Sequence, residues 1–187
     1  MPILVRELDV FPEGLLEHPE LGQEPDRRWW ALYTKSRHEK ELMRRLCGLK
    51  IAFYSPLIPR RRRPSCGRLR TAHVPLFAGY TFLYGTQSDR SRALTTNCVS
   101  RWLPVPDGAE LTQDLRRIHQ LIASGAPLSP EARLEQGTRV RIRSGALAGI
   151  EGVILRRPGP TRLLIAVNFL QQGASLLLED YQVERLD

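Results

Sequence analysis

Arginine is concentrated in one stretch of the sequence, PRRRRPSCGRLR at residues 59–70, and the chemistry of such a stretch is anion binding. A guanidinium group can bind a phosphate through two parallel hydrogen bonds and stays charged at physiological pH. Pro64 and Gly67 favour a turn in the middle, so the sequence predicts a hairpin or extended loop that projects from a sheet. We predict phosphate contacts from its arginines, with a solvated charged loop as the alternative. These arginines are Arg60, Arg61, Arg62, Arg63, Arg68 and Arg70.

The distribution of charge along the chain also favours a polyanionic partner. The net charge of +8 divides into −6 for residues 1–26 and +14 for the remainder. No acidic residue occurs from Leu42 to Ser88, against nine basic ones. A field of one sign is typical of proteins that bind nucleic acid. Genomic base composition could explain the preference for arginine over lysine, but it does not explain the missing carboxylates.

A second candidate for binding is the aromatic segment VPLFAGYTFLYG at residues 74–85. In a strand, alternate side chains share a face, so Tyr80, Phe82 and Tyr84 would lie on one face and Thr81 and Leu83 on the other. An exposed face with three aromatic rings is unfavourable in water. These rings must therefore be covered either by the protein's own core or by another molecule.

Residues with catalytic potential do not have catalytic spacing. The sequence contains no G-x-S-x-G, no phosphate-binding glycine loop and no H-E-x-x-H, and its four histidines lack ligand spacing. Acidic residues are sparse where basic ones cluster, which argues against a two-metal nuclease. We therefore predict a protein that is not an enzyme and that holds no cofactor or metal.

The cysteines and the apolar runs indicate the compartment. Cys47, Cys66 and Cys98 form no C-x-x-C pair, so we expect reduced thiols rather than disulfides or a zinc site. No apolar run is long enough to span a membrane, and the N-terminus lacks the features of a signal peptide. We expect a cytoplasmic protein.

The periodicity divides the chain into four segments. Residues 1–26 are predicted to be a disordered or loosely docked acidic arm, either a solubilising tail or a cover for the basic segment. Residues 27–124 alternate strands and helices and predict an α+β domain, with helices at Ser36 to about Leu49, at Ser88–Thr95 and at Thr112 to about Ser124. Ser36 and Glu39 have the spacing of a capping box.

The last two segments are a linker and a β-rich domain. Residues 125–136 contain two prolines and few large apolar side chains, which is typical of a flexible linker. Residues 137–187 contain five short strand patterns punctuated by glycine. A domain of this size buries such strands best as a small barrel.

Several motifs in both halves resemble one family. GTRVRIRSGALAGIEGVILR is similar to a KOW motif, in which Gly149 and Gly152 are expected to allow positive φ at a tight corner. With LLIAVNFLQQGASLLLEDYQVERLD it resembles the C-terminal domain of NusG. RWWALYTKSRHEKELMRRL, VPLFAGYTFLYG and NCVSRWLPVPDG resemble the N-terminal domain of the same family. The resemblance covers residues 28–187 and implies an N-terminal antiparallel sheet flanked by helices, a linker, and a five-stranded SH3-like β-barrel, the KOW domain.

The resemblance implies that the aromatic segment binds RNA polymerase. In NusG-like proteins a hydrophobic depression on the N-terminal domain seats the clamp helices of the β′ subunit. Desolvated aromatic anchors carry much of such an interface. The matching residues are Tyr33, Phe77, Tyr80, Phe82 and Trp102. A purely structural role in the core is the alternative for Phe77 and Phe82, whereas a tyrosine hydroxyl favours a site with one wet end.

The resemblance also implies nucleic-acid contacts. The arginine-rich hairpin would lie beside the upstream DNA. Positions that touch the non-template strand in specialised RfaH-like paralogues match Lys35, Arg37, His38, Asn97 and Arg101. Residues 89–92 match the contact with the gate loop of the β subunit, although they lack its His-Thr-Thr pattern. Ordinary surface charge is the alternative for the basic residues.

Two departures from the family distinguish the KOW domain. Leu147 replaces an aromatic residue, and NFLQQG at residues 168–173 replaces an F-G-R turn, leaving Phe169 as an anchor. Leu147 and Phe169 are therefore the candidate partner-binding positions. Because the replaced residues contact Rho and the ribosomal protein NusE, the departures weigh against both partners and favour an RfaH-like specialised paralogue.

The resulting expectation is a monomeric transcription elongation or antitermination factor. Its N-terminal domain would bind the polymerase clamp and suppress pausing or termination, and its KOW domain would recruit a further partner. The first alternative is a ribosome-associated RNA-binding protein with a KOW domain. An enzyme acting on nucleic acid is a more remote alternative, because the acid–base constellation is missing.

Overall fold

The computed structural model describes residues 7–21, 23–62, 70–131, 137–155, 161–178 and 183–186. Its contacts divide the chain into two compact units, Met1–Ala109 and Glu110–Asp187. The sequence placed the domain boundary after residue 124. The helix at Gly108–Ala123 is grouped instead almost entirely with the second unit. Of the predicted site residues, Arg63 and Arg68 lie outside the described residues, as does Cys66.

The first unit contains an antiparallel sheet of five strands in the order β1-β3-β6-β2-β7 and a separate hairpin of β4 with β5. Aromatic and β-branched residues favour these strands. Their bounds are β1 (Val10–Phe11), β2 (Arg28–Thr34), β3 (Ala52–Tyr54), β4 (Leu57–Arg62), β5 (Arg70–Pro75), β6 (Tyr80–Gly85) and β7 (Val99–Pro104). The predicted arginine-rich hairpin is confirmed at the level of the backbone, with Arg60 opposite Ala72.

Two helices in the first unit connect these strands, α1 (Glu39–Gly48) and α2 (Gln87–Leu94). One face of the sheet and one stripe of each helix share a core, because their apolar residues recur at the spacing of each element. This core includes Trp30, Leu32, Leu42, Met43, Leu46, Phe53, Leu83 and Ala93.

The predicted capping box at Ser36 is wrong. Helix α1 begins at Glu39, its N-cap residue His38 makes no capping hydrogen bond through its side chain, and Glu39 Oε1 accepts from the backbone N–H of Gly79 at 2.9 Å. The capping box occurs instead at α2, where Thr86 Oγ1 accepts from the N–H of Asp89 and Asp89 Oδ2 accepts from the N–H of Thr86. Glu39 has the spacing of a capping-box residue, but its carboxylate binds the backbone of Gly79 instead of the helix N-terminus.

The N-terminal acidic segment has structure, contrary to the expected disorder. Strand β1 extends the sheet beside β3, and the ring of Phe11 stacks on that of Phe53 at 6.4 Å. Leu15, Leu16 and Leu21 are buried. Three buried leucines supply apolar contact that the acidic composition concealed.

The second unit contains helix α3 (Gly108–Ala123) and an antiparallel sheet of six strands in the order β13-β9-β10-β11-β12-β8. All five predicted strands are present among the described residues. Their bounds are β9 (Thr138–Ile142), β10 (Glu151–Leu155), β11 (Arg162–Val167), β12 (Gln172–Leu177) and β13 (Val183–Arg185). The sixth strand, β8 (Ser129–Glu131), lies in the predicted linker and pairs with β12.

The two glycines of the predicted KOW motif have different roles. Gly149 has φ +86°, as expected for a tight corner. Gly152 does not have a positive φ. A Cβ at Gly152 would lie 2.5 Å from the carbonyl oxygen of Leu164, so this glycine permits close approach of two strands.

The two candidate caps give a matched test. Thr86→Ala should destabilise the first unit by about 1 kcal/mol, because the Asp89 N–H loses its capping acceptor. Ser36→Ala should change the stability by less than about 0.5 kcal/mol, because Ser36 does not cap α1. Urea unfolding of both variants measures the difference, and equal losses would contradict this assignment.

Candidate functional site

Three neighbouring strands place Tyr80, Tyr33 and Arg101 in one row across the sheet. Tyr33 on β2, which lies between β6 and β7, is opposite Tyr80 of β6 and opposite Arg101 of β7. The Tyr33 and Tyr80 rings are 5.1 Å apart in an edge-to-face arrangement, and the Arg101 guanidinium lies 4.8 Å from the Tyr33 ring centroid. Both tyrosines are half-buried and Arg101 is exposed. We call these three residues the tyrosine–arginine row.

A polar pair continues this surface beyond the end of β2. The pairing of β2 with β7 shifts register between Tyr33 and Thr34. Irregularities of this kind are frequent at sheet edges and next to functional sites. Lys35 follows directly, and its Nζ donates to Asn97 Oδ1 at 2.6 Å, with both residues exposed. The sequence analysis named Lys35, Asn97 and Arg101 as members of one set, and the structure places Lys35 against Asn97.

Arg37 and His38 follow in the turn before α1. Both are exposed, and Arg37 has φ +62°, in the left-handed region that side chains other than glycine rarely adopt. The Nδ1 atom of His38 lies 2.8 Å from the carbonyl oxygen of Ser36. This local contact orients the imidazole ring.

The predicted aromatic set is split between the two faces of the sheet. Trp102 lies opposite Leu32, one residue along from the Arg101–Tyr33 pair, so it faces the side of the sheet that carries α1 and α2. The structure therefore does not bring Trp102 together with Tyr33 and Tyr80.

Trp102 forms a second aromatic surface with Trp30 and Arg28, which the sequence analysis did not name as site residues, and with Arg90, which lies in the segment 89–92 that it did name. Its ring is 5.3 Å from that of Trp30 and is 36% exposed. The Arg90 guanidinium lies 4.2 Å from the Trp102 ring and 4.9 Å from the Trp30 ring, and Arg28 also lies over Trp30 at 4.9 Å. Arginine stacked on an indole is a stable cation–π arrangement. The sequence RRWW, in which Arg28 is followed by two tryptophans, was the available signal for a cation–π surface here.

Phe77 and Phe82 are enclosed by the fold. They are 1% and 0% exposed, and their rings meet edge to face at 6.2 Å. Phe82 shares the face of Tyr80 by strand alternation. The expectation that Phe77 and Phe82 contact a partner directly is therefore corrected, in favour of the alternative given for them: both belong to the core. Their apolar side chains have no polar atom that requires water.

The acidic N-terminal segment neutralises part of α1. Arg44 pairs with Glu7 at 2.6 Å and with Glu41 at 2.8 Å, and Arg45 also pairs with Glu41. The hydrogen bonds from Arg44 and Arg45 lower the pKa of Glu41 below its usual value. Exposed pairs of this kind add little stability. They do reduce the positive field of α1 relative to that of Lys35 and Arg101.

A small cavity lies under the same segment, away from the tyrosine–arginine row. Its volume is about 180 Å³, and Leu15, Leu21 and Ala52 line it together with polar groups. The Tyr84 hydroxyl donates to Glu24 Oε1 at 3.1 Å. The cavity is smaller than most ligand sites, which measure about 300–1,000 Å³.

In the second unit, the two predicted partner-binding positions differ in exposure. Leu147 is 1% exposed, so its prediction as a contact residue is corrected: it belongs to the core. Phe169 is half-buried in a short 3₁₀ helix, Asn168–Leu170. Two carboxylates of α3 hold this turn, because Asn168 donates from its backbone to Asp114 at 3.1 Å and from its amide to Glu110 at 2.9 Å.

Asp114 is the titratable group most affected by burial. Its side chain is 3% exposed, and this desolvation raises its pKa to about 6. The Asn168 N–H and the Arg117 guanidinium, 3.3 Å away, act in the opposite direction, whereas Glu110 raises the pKa further. A buried carboxylate near pH 7 therefore costs stability despite its partners.

Groups that could hold a metal are not assembled in the described part of the chain. There, no three His, Cys, Asp or Glu side chains lie together. Cys47 and Cys98 are free thiols. Among the same residues no helix has both the length and the apolar character to cross a membrane.

The fold and these surfaces define a mixed α+β protein whose exposed candidate residues are aromatic and basic. A family model described as transcription termination factor nusG matches residues 27–129, more than half of the chain. The chain therefore belongs to the NusG family, whose members are transcription factors that act in elongation and termination. A search of the curated proteins found no match.

The buried carboxylate of Asp114 gives a prediction about pH. A carboxyl whose pKa is higher in the folded than in the unfolded chain makes the folded state less stable as pH rises through both pKa values. Asp114→Asn should therefore gain stability relative to the wild type between about pH 4 and about pH 7, by on the order of 1 kcal/mol. Urea unfolding across this range measures the gain. The exposed control Asp26→Asn should not reproduce it, and a flat difference for Asp114→Asn would contradict the assignment.

Proposed function

We propose that this protein is a transcription elongation and antitermination factor that binds RNA polymerase through its first unit. The tyrosine–arginine row carries the proposal, together with membership of the NusG family. Tyr33 and Tyr80 are half-buried rings held in fixed contact, which is the state expected of interface anchors before binding. The two rings meet edge to face at 5.1 Å, so each limits the motion of the other. We assign this surface to the clamp helices of the β′ subunit.

The opposite face of the sheet offers a second contact for the polymerase. Arg90 lies within residues 89–92, the positions that match the gate-loop contact in the family, and it stacks against the exposed Trp102. We assign Trp102 and Arg90 to the β-subunit gate loop. A protein that contacts clamp and gate through the two faces of one sheet resists their separation, and thereby disfavours the opened states that lead to pausing.

Nucleic acid is the proposed ligand of the basic residues beside the row. Lys35, Asn97 and Arg101 combine two cations with an amide at the end of the aromatic surface, a combination suited to the phosphates and bases of an exposed non-template strand. Arg37 and His38 border it. The hairpin of β4 and β5, with exposed Arg60, is assigned to upstream DNA.

The second unit is proposed to be a KOW domain that recruits a further partner. Leu147 is buried, which leaves Phe169 as its aromatic contact, so we favour a specialised RfaH-like member over a housekeeping factor and a partner other than Rho or NusE. Binding rather than catalysis explains the whole set of residues. We propose that the factor acts in the cytoplasm as a monomer.

Loss of one ring should separate polymerase binding from other activities. Tyr80→Ala removes the edge-to-face partner of Tyr33 and should reduce retention of the β′ subunit in a pull-down about tenfold or more, since anchor residues contribute about 2 kcal/mol each. Leu8→Ala is the control, because Leu8 is an exposed apolar residue in the N-terminal segment. Equal β′ retention by both variants would contradict the proposal. Recovery of ribosomal RNA without polymerase would favour the ribosome-associated alternative.

The salt dependence of DNA binding tests the basic residues. Lys35→Ala and Arg101→Ala should each weaken binding of a single-stranded oligonucleotide and lower the slope of log K against log salt by about one. Arg44→Ala is the matched control, because Glu7 and Glu41 already neutralise Arg44. Fluorescence anisotropy at several salt concentrations measures the slopes. Equal slopes for all three variants would argue against this interface.

A further inference from the structure

The outer edge of the second sheet is only partly occupied by the chain itself. Strand β12 has six residues, Gln172–Leu177, and β8 pairs with three of them through the register Gly173–Glu131, Ala174–Pro130 and Ser175–Ser129. No strand of the described residues lies beyond β8 in this sheet. An edge of this kind accepts an additional extended chain, because its backbone donors and acceptors are already aligned.

The strand that occupies the edge is intrinsically weak. Strand β8 has three residues, and its central residue, Pro130, has no N–H to contribute to a ladder. Its hydrogen bonds with β12 are therefore fewer than those that a longer strand would make along the same edge. A weak occupant tethered to its own site is readily replaced by a stronger one.

Side chains give the edge chemical specificity. Arg162 on β11 donates from Nε to Ser175 Oγ at 2.9 Å and from Nη2 to Ser129 Oγ at 2.8 Å. Ser175 is fully buried and donates its hydroxyl proton to Glu131 Oε1 at 2.6 Å. The network therefore recognises two features of the added strand: a small hydroxyl, and a carboxylate two residues later.

We propose that the β12 edge is a strand-addition site for an extended, acidic segment of a partner protein, and that residues 129–131 are an internal mimic of that segment. The partner strand supplies a serine or threonine and, two residues later, a carboxylate. It pairs along the length of β12, which three residues with a central proline cannot do. Main-chain hydrogen bonds give the affinity and the Arg162–Ser175 pair gives the specificity.

The mimic has a regulatory consequence. Segment 129–131 is attached to the domain whose edge it occupies, so its effective concentration is on the order of millimolar. A partner segment must bind the edge more tightly than this tethered segment does, so segments that bind weakly or non-specifically are excluded. Displacement of β8 also frees the segment between α3 and β9 from the sheet. This inference rests on the recruiting role proposed above for the second unit.

The experiment uses the chain's own segment as the probe. A labelled peptide of residues 125–136, GAPLSPEARLEQ, is titrated into the full-length wild type and into the double variant Ser129→Ala/Glu131→Lys. In the variant the internal mimic lacks both recognised groups. We expect the peptide to bind the variant at least about tenfold more tightly than the wild type, because the wild-type edge is blocked by its tethered strand.

Two matched variants test the recognising residue. Arg162→Gln in the double-variant background should abolish peptide binding, whereas Arg139→Gln, an exposed arginine on β9, should leave it intact. A peptide carrying Glu131→Lys should not bind. The proposal is overturned if the wild-type peptide does not bind the double variant, or if Arg162→Gln and Arg139→Gln bind it equally.

Folding and self-association are measured on the same samples. Hydrogen exchange of residues 172–177 should be faster in the double variant than in the wild type and should slow again when peptide is added. Glu131→Gln replaces the double variant if that protein does not fold. Dimers of wild type in light scattering, lost in the double variant, would mean that a second copy fills the edge and would overturn the proposal. Polymerase retention is measured separately, so a failure here leaves the role of the first unit unaffected.

Discussion

The pairing of β2 with β6 on one side and with β7 on the other determines which side chains the first unit presents on each face. A shift of one residue in either register would turn every side chain of the moved strand to the opposite face. In the observed register Tyr33 has Tyr80 on one side and Arg101 on the other. The same register places Leu32 beside Trp102 and so separates the two aromatic surfaces. Burial of Trp30 and Leu32 against the helices enforces this alignment.

The two faces of this sheet differ in which residues form the buried core and which are exposed for binding. On the helix-bearing face the core is continuous, and only at the β7 edge does Trp102 reach solvent, with Arg90 stacked upon it. On the other face Phe82 is enclosed and Tyr80, two residues away, is half-exposed. On this face of β6, side chains two residues apart therefore change from fully buried to half-exposed. The partly exposed rings are held by ring contacts, Tyr33 against Tyr80 and Trp102 against the buried Trp30.

Electrostatics divide the basic residues into neutralised and available groups. Arg44 and Arg45 are engaged by nearby carboxylates. Lys35 instead contacts the neutral amide of Asn97, and Arg101 lies over an aromatic ring, so both keep their charge uncompensated by these contacts. The positive field of the first unit is therefore concentrated beside the tyrosine–arginine row. In the second unit the carboxylates of α3 are used differently, as acceptors that hold the turn at Asn168.

Hydrophobic period, glycine punctuation and local motifs were enough to predict the element types, most of the strands in both halves and the family; they did not predict β1 or β8. The family resemblance also named Lys35, Asn97 and Arg101, because their positions in the motifs match nucleic-acid contacts of related proteins. Which rings are buried depends on the tertiary structure, because strand alternation predicts the face on which a ring lies but not what packs against that face. The tertiary structure decided that Glu39 contacts Gly79 rather than capping α1. It also recruited Ser129–Glu131 into a sheet, because edge pairing depends on a distant strand and not on local propensity.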